Sequence, residues 1–209
     1  MSNHSQKARR QVRMSRALGI PLTPKAARYF EKRPYPPGEH GRARRRADSD
    51  YAVRLKEKQR LRAQYALREV QLRRAFDLAR KESGLTGEAL VENLEMRLDA
   101  LVLRAGFGRT MAQARQAVSH RHILVDGKIV DRPSYKVKPG QVVQVKPKSQ
   151  VTVPFQVAAA GAHRDVLPEV PEYLSVDLEK LRFELVRRPK RAEVPVTCDV
   201  QMVVEYYSR

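Results

Sequence analysis

The sequence predicts an α+β fold, on three observations. Apolar residues recur at helical steps between Tyr51 and Ala105, and short apolar runs bounded by turn dipeptides follow from Ile123 onward. The first 48 residues, by contrast, have little apolar periodicity and much positive charge. At 209 residues the chain suits one large or two small domains, enough to bury a real core.

Met1 to Asp48 reads as an irregular basic arm. It holds the cluster Pro34, Pro36 and Pro37, then Gly38 and Gly41, and the run Arg42-Ala43-Arg44-Arg45-Arg46. Such a stretch offers too little apolar surface to offset its ordering entropy, so it should order only against a partner. Its prolines fix φ and reduce the entropy lost on docking.

From Ser49 to about Ser83 the chain is predicted helical, with Ser49 or Asp50 capping the start. Tyr51, Leu55, Leu61, Tyr65, Leu72, Phe76 and Ala79 form the apolar stripe, and a break near Tyr65–Ala66 would give two helices. Gly84, Thr86 and Gly87 mark a turn. Leu90, Val91, Leu94, Leu98, Leu101, Val102 and Ala105 then form the next helical stripe, up to Gly106-Phe107-Gly108. Thr110 and Gln113 stand at the N-cap and N3 positions of a capping box that starts a helix to about Ser119.

Strands are predicted at Ile123–Val125 and Lys128–Val130 around an Asp126-Gly127 hairpin turn. Further strands fall at Val142–Val145 after Pro139-Gly140, at Leu174–Val176 and at Arg182–Val186. Pro154–Ala160 suits a short helix, and Val200–Tyr207 a terminal amphipathic one.

The formal net charge is +19 and the isoelectric point near 10.5, which makes a polyanion the default partner. The excess is unevenly placed: +9 over residues 1–50, +3 over 51–95, +8 over 96–150 and −1 over 151–209. Cys198, the single cysteine, excludes an intrachain disulfide and fits a reducing compartment. No apolar run approaches the roughly 20 residues of a membrane span, and the N-terminus has no secretory h-region, so a cytoplasmic protein is expected, without a membrane partner.

Chemistry is poorly provided for. The histidines, His4, His40, His120, His122 and His163, pair with no cysteine at zinc spacing. Gly106-x-Gly108 follows a helix and lacks a third glycine, so it is a turn. There is no Walker loop, nucleophile elbow or HExxH, and Glu92 and Glu95 read as solvated carboxylates on a helix exterior. Neither cofactor, metal, catalytic residue nor small-molecule substrate is expected.

Cationic and amide residues instead gather between 97 and 136. Arg97 and Arg104 are seven apart, hence on one helical face. Arg109 precedes the cap at Thr110, where free N–H groups and the helix dipole favour phosphate. Arg115 and Gln116 follow on that helix, and Ser119, His120, Arg121 and His122 fall where it meets the strand. Lys128 lies across the hairpin. One groove between helix pair and hairpin explains these placements, as a pre-shaped surface for structured RNA. The alternative makes each arginine a snorkelling surface residue.

Residues 97–147 resemble the small RNA-binding domain named after the fourth protein of the bacterial small ribosomal subunit. That domain also occurs as an appendage in pseudouridine synthases and tyrosyl-tRNA synthetases. The stretch Phe30 to Arg44 looks like the FEKRPYPPGxHG block of the ribosomal family itself. Lys56 to Gln59, Arg97-Leu98-Asp99, Val118-Ser119-His120, Pro133-Ser134-Tyr135, Val153-Pro154-Phe155 and Val204 to Tyr207 match as well, so the resemblance spans nearly the full chain.

The resemblance implies a non-enzymatic protein that binds small-subunit ribosomal RNA early in assembly and nucleates the subunit body. With its fifth and twelfth neighbours it would affect decoding accuracy. It also implies a helical domain, 49–95 completed by a C-terminal helix over 192–209, into which an RNA-binding domain over 96–191 is inserted, with its core motif at 97–147 and the arm at 1–48. RNA contacts are then expected from Lys32, Arg33, Tyr35, Arg42, Arg44, Arg45 and Arg46 in the arm and from Arg54, Lys58 and Arg62 in the helical domain. In the inserted domain they are expected from the groove residues, namely Arg97, Arg104, Arg109, Thr110, Gln113, Arg115, Gln116, Ser119, His120, Arg121 and Lys128, together with Lys136. Some members of the family hold zinc on arm cysteines; this arm has none, so that feature does not carry over. The region from Gln6 to Tyr29 departs from the family pattern.

Two other functions compete. An RNA-modifying enzyme would need a catalytic domain outside 96–150, and no acidic or nucleophilic centre stands there. A regulator that binds messenger RNA would use the same surface.

Overall fold

The computed structural model describes residues 3–43 and 47–208. It divides into two compact units, residues 1–72 with 196–209 and residues 73–195, the division falling inside one helix.

The first unit is helical. Its N-terminal part is not an irregular arm: α1 spans Asn3–Leu18 and α2 spans Pro24–Lys32. Lys, Arg and Gln are good helix formers in their own right, so a helix needs no strong apolar stripe if a few residues find a neighbour. Those residues are Ser15, Leu18, Ile20 and Ala26, all buried. Helix α1 ends as the Ile20 N–H returns to the Ser15 carbonyl at 3.2 Å, and the Ser15 hydroxyl accepts from Leu22 N at 3.1 Å. Thr23 caps α2 by accepting from Ala26 N at 3.1 Å, with Pro24 in the first turn. Among the described residues, irregular chain begins at Arg33 and holds the 3₁₀ turn Glu39–Arg42.

Helix α3 (Asp50–Gln64) is capped by Ser49, which accepts from Ala52 N at 3.3 Å. The predicted break is present. Tyr65 and Ala66 close α3, with Ala66 at φ +49°, and α4 (Glu69–Ala79) follows. The terminal helix α10 (Val200–Ser208) packs on α3, burying Leu61 and Val203. It is shorter than the expected 192–209, because Pro195 and an Asp199 that accepts from Met202 N at 3.3 Å set its start. Tyr51, predicted as apolar stripe, is exposed.

The second unit sets helices against one sheet. The predicted continuous stripe from Leu90 to Ala105 is two helices, α5 (Thr86–Glu95) and α6 (Leu98–Arg104). The interruption has a cause. Residues 133–137 claim the backbone there: Leu98 N donates to Tyr135 O at 2.8 Å, Asp99 N to Pro133 O at 3.2 Å, and Val137 N to Met96 O at 2.9 Å. Helix α7 (Met111–Ser119) packs on α6.

Five strands follow: β1 (Ile123–Val125), β2 (Lys128–Ile129), β3 (Val142–Val145), β4 (Leu174–Asp177) and β5 (Arg182–Leu185). They form one sheet in the order β2-β1-β3-β5-β4, every pair antiparallel. The β1–β2 turn has φ +48° at Asp126 and +77° at Gly127, the left-handed pair that a two-residue hairpin requires. Asp126 also accepts from Val142 N at 2.9 Å and so ties the turn to β3; these bonds hold its carboxyl below the ordinary range. Between β3 and β4 lie α8 (Pro147–Gln150) and α9 (Val153–Ala159). Phe107 and Phe183 meet at 5.5 Å in the core, beside Ile123, Val143 and Val145.

Candidate nucleic-acid interface

The arginines of the second unit fall into two groups that the sequence does not separate. Asp99 is fully buried. Arg97 grips it through Nε to Oδ1 at 2.9 Å and Nη2 to Oδ2 at 2.8 Å, and Arg115 adds Nε and Nη2 to Oδ2 at 3.2 and 2.9 Å. Glu95 is also fully buried, held by Arg104 at 2.6 and 3.3 Å and by the Tyr173 hydroxyl at 2.8 Å. Burial, then the Glu95 charge beside it, pushes the Tyr173 phenol far up.

Three expectations are corrected here. Arg97 and Arg104 do not share an open helical face, because Arg97 precedes α6 and both side chains are about 10% exposed. They neutralise buried carboxylates, as a low-dielectric interior demands. Arg115 is 31% exposed and is likewise committed to Asp99. Glu95 is no exterior carboxylate. Glu92 is, and it pairs with Arg188 at 3.0 Å.

The cap of α7 is built from its own side chains. Thr110 accepts from Gln113 N at 3.3 Å, and Gln113 Oε1 accepts from Arg109 N at 2.9 Å, one residue further back than the expected box. Both side chains therefore serve the helix end itself.

What stays open to solvent is a second group. Arg109, Gln116, Ser119, His120, Arg121 and Lys128 are all exposed. Gln116 and Ser119 share the outer face of α7 with Ala112, while Met111, Ala114, Ala117 and Val118 face inward. The helix ends in a Schellman motif: Arg121 N donates to Val118 O at 3.0 Å and His122 N to Ala117 O at 3.1 Å. Arg121 stands at the left-handed position, φ +63°, where glycine is usual. Its ion pair to Asp131, at 3.1 Å, is solvent-exposed. His122 turns inward, its Nδ1 2.9 Å from Ser149 Oγ and its ring edge-on to Phe155, while His120 stays outside. Lys136 is exposed and donates to Asn93 Oδ1. Arg132, Lys138 and Lys148 extend the exposed basic surface. The charge count signalled them, but no motif did.

In the first unit Tyr35 is flanked by two guanidiniums, Arg16 at 4.9 Å and Arg42 at 4.7 Å from the ring centroid. Arg16 also donates to the Tyr35 carbonyl at 2.9 Å, and Arg42 to the phenol oxygen at 3.0 Å. The Arg42 bond and the surrounding charge lower the phenol below its ordinary value. Gly41 makes the turn feasible, since a side chain there would run into the Pro36 carbonyl oxygen. Lys32 and Arg33 are exposed nearby in sequence. Arg16 was missed because its partner lies 19 residues away. Arg44, Arg45 and Arg46 lie outside the described residues.

The cations expected on α3 have other partners. Lys58 is 4% exposed, paired with Glu69 at 3.0 Å and 4.4 Å above the Tyr206 ring. Arg54 binds Glu205 at 2.7 Å, which raises its pKa, and Arg62 reaches Glu69 at 3.4 Å. Helix α10 returns along the face that periodicity had left to solvent. By contrast, Arg74 on α4 and Arg80 and Lys81 just after it are exposed and make no ion pair among the described residues.

An α+β chain whose exposed arginines, amides and histidine gather on one helix end and one hairpin belongs to the class of cationic binding proteins rather than cleft enzymes. Comparison with known proteins makes this specific. The family pattern "Ribosomal protein S4/S9 N-terminal domain" matches residues 2–95, and "S4 domain" matches 96–143. The "Small ribosomal subunit protein uS4" of Beutenbergia cavernae is 82% identical over 205 residues, 98% of this chain and 99% of that protein. The protein of the same name from Leifsonia xyli subsp. xyli is 72% identical over 204 residues, 98% and 99% of the two chains. That from Pseudarthrobacter chlorophenolicus is 69% identical over the full length of both. The chain belongs to the uS4 family of small-subunit ribosomal proteins, structural proteins rather than enzymes.

Proposed function

We propose that this chain is a structural constituent of the small ribosomal subunit, working in the cytoplasm, and that it binds the subunit's RNA. The observation that carries this reading is the division of labour among the arginines. Buried carboxylates consume Arg97, Arg104 and Arg115, yet the other eight lysines and arginines of residues 96–150, Arg109, Arg121 and Lys128 among them, stand against only Asp126 and Asp131, a net +6. RNA phosphate supplies the counter-charge, and Gln116, Ser119 and His120 add hydrogen bonds to backbone or 2′-hydroxyl groups. The recognition module is residues 96–191, centred on 97–147. Tyr35 with Arg16 and Arg42 forms a further contact, joined by Lys32 and Arg33 and continued by the arginines at 44–46.

Binding of this kind suits an early role, in which a rigid cationic surface nucleates the body of the subunit. Contact with neighbouring proteins, the fifth and twelfth of the subunit among them, would connect the chain to decoding accuracy. A messenger RNA presenting the same shape would compete for the same surface.

The test is affinity for small-subunit RNA. Changing Arg109, Arg121 and Lys128 together to alanine should weaken binding by several kcal/mol, from about 1.5–3 kcal/mol per charge-assisted contact less the solvent-screened part. The melting temperature should hold. Normal binding by that variant would move the interface elsewhere on the chain.

A further inference from the structure

The second unit has a cavity of about 160 Å³ whose walls include Arg104, Gly106, His163, Leu167, Val176 and Leu178. None of its walls belongs to the residues assigned above to RNA, apart from Arg104, whose guanidinium Glu95 occupies. His163 is 94% buried by its 6% residual exposure, and its Nδ1 lies 2.8 Å from the Gly106 carbonyl. A carbonyl only accepts, so Nδ1 carries a proton, and in the neutral tautomer that this implies Nε2 presents a lone pair. Among the described residues Nε2 has no partner, and it is not sealed from open space. The cavity thus has an apolar side, at Leu167, Val176 and Leu178, facing an acceptor at His163.

Size, charge and rim narrow the occupant. An apolar cavity of about 150 Å³ takes a single benzene ring, so this one suits one six-membered ring. Nucleic acid is disfavoured, because residues 151–209 carry a net −1, and Arg164 of the wall has the acidic Asp165 and Glu169 within five residues in the sequence. Exposed apolar side chains stand beside it. Val170 of the wall is 45% exposed, and Val157 and Val166, beside the wall residues Ala158 and Leu167 in sequence, are 40% and 37% exposed. Exposed valines interspersed with charged residues beside a ring-sized hole with a hydrogen-bond acceptor are the complement of a tyrosine anchored in a protein interface.

We propose that this cavity docks a tyrosine side chain of a neighbouring protein, its ring between Leu167, Val176 and Leu178 and its hydroxyl donating to His163 Nε2. The chemistry is testable on the full chain with p-cresol as probe. Its titration should shift the His163 Nε2 resonance and the Val176 and Leu178 methyls saturably. Toluene, which lacks the donor, should bind roughly five- to tenfold more weakly, the worth of one hydrogen bond. Val176→Phe, which fills the hole, should abolish the cresol response and leave RNA affinity unchanged. Equal binding of toluene and cresol would overturn the hydrogen-bonded docking. Preference for uridine over cresol would make the cavity a nucleobase site and overturn the proposal, as would no binding by either aromatic. In assembled small subunits, a photo-crosslinking residue at Val170 should capture protein. Capture of RNA, or no capture, would sink the protein-docking assignment while leaving the RNA surface around Arg121 standing.

Discussion

Asp99 has Oδ1 taken by Arg97 and Oδ2 shared between Arg97 and Arg115. Two guanidiniums on one buried carboxylate leave the inner arginine fully committed and the outer one partly open, so Arg115 belongs to stability first. Arg115→Ala should cost about 1–3 kcal/mol, at the low end of what breaking buried pairs does, because Arg97 keeps its two-point grip. Urea denaturation checks this, and the folded fraction should retain its RNA affinity. Arg121 gives the opposite signature. An L-residue in the left-handed region costs roughly 1–2 kcal/mol relative to glycine. Arg121→Gly should therefore melt at the same temperature or higher while weakening RNA binding. A glycine variant that binds normally would show that Arg121 stands there for no contact with RNA.

At the scale of elements, α3, α4 and α10 meet around Glu69, which accepts from Lys58 at 3.0 Å and from the Tyr207 hydroxyl at 2.7 Å. Burial raises the carboxyl's pKa, but the bonds from Tyr207 and Lys58 and the charges of Lys58 and Arg62 outweigh it, and the net shift is downward from 4.5. A depressed folded pKa means the contribution is complete above about pH 4.5 and is lost as pH falls through the folded value. Melting temperature should thus drop on acidification below that point, and Glu69→Gln should be less stable at neutral pH yet lose less on acidification. The same helices show what periodicity leaves undecided. It marks Tyr65, Leu72 and Phe76 as inward on α3 and α4, and all three are buried. It cannot say that α10 will cover a second face of α3, so Lys58 and Arg54 read as free when they are ion-paired inside the unit. The hairpin at Asp126-Gly127, the α7 cap and all five strand sites were legible because turn and cap chemistry is local. The split at Arg97 was not, since its cause is a segment nearly 40 residues onward. Helices α1 and α2 were hidden for a related reason: four buried residues suffice to hold them, too few to make a visible stripe.

For the whole molecule, charge and architecture make separate demands. Affinity for small-subunit RNA should fall steeply with monovalent salt, because each lysine or arginine that reaches a phosphate releases condensed counterions. A flat response would remove the electrostatic reading altogether. The N-terminal segment enters both accounts, since residues 1–50 carry +9 and also supply the buried Leu18, Ile20 and Ala26. Deleting residues 1–48 should reduce the slope of log affinity against log salt. It should also destabilise the first unit, where Arg60 Nε donates to the Leu18 carbonyl at 2.8 Å and would lose that partner. The second unit holds its own sheet, its own core around Phe107 and Phe183, and the charge pairs at Asp99 and Glu95, all within 73–195. A fragment of those residues should melt cooperatively and keep the Arg121 contribution to RNA binding, at lower total affinity than the full chain. Loss of cooperative melting in that fragment would mean that its core depends on residues outside 73–195, and that the two units are not independent folding units.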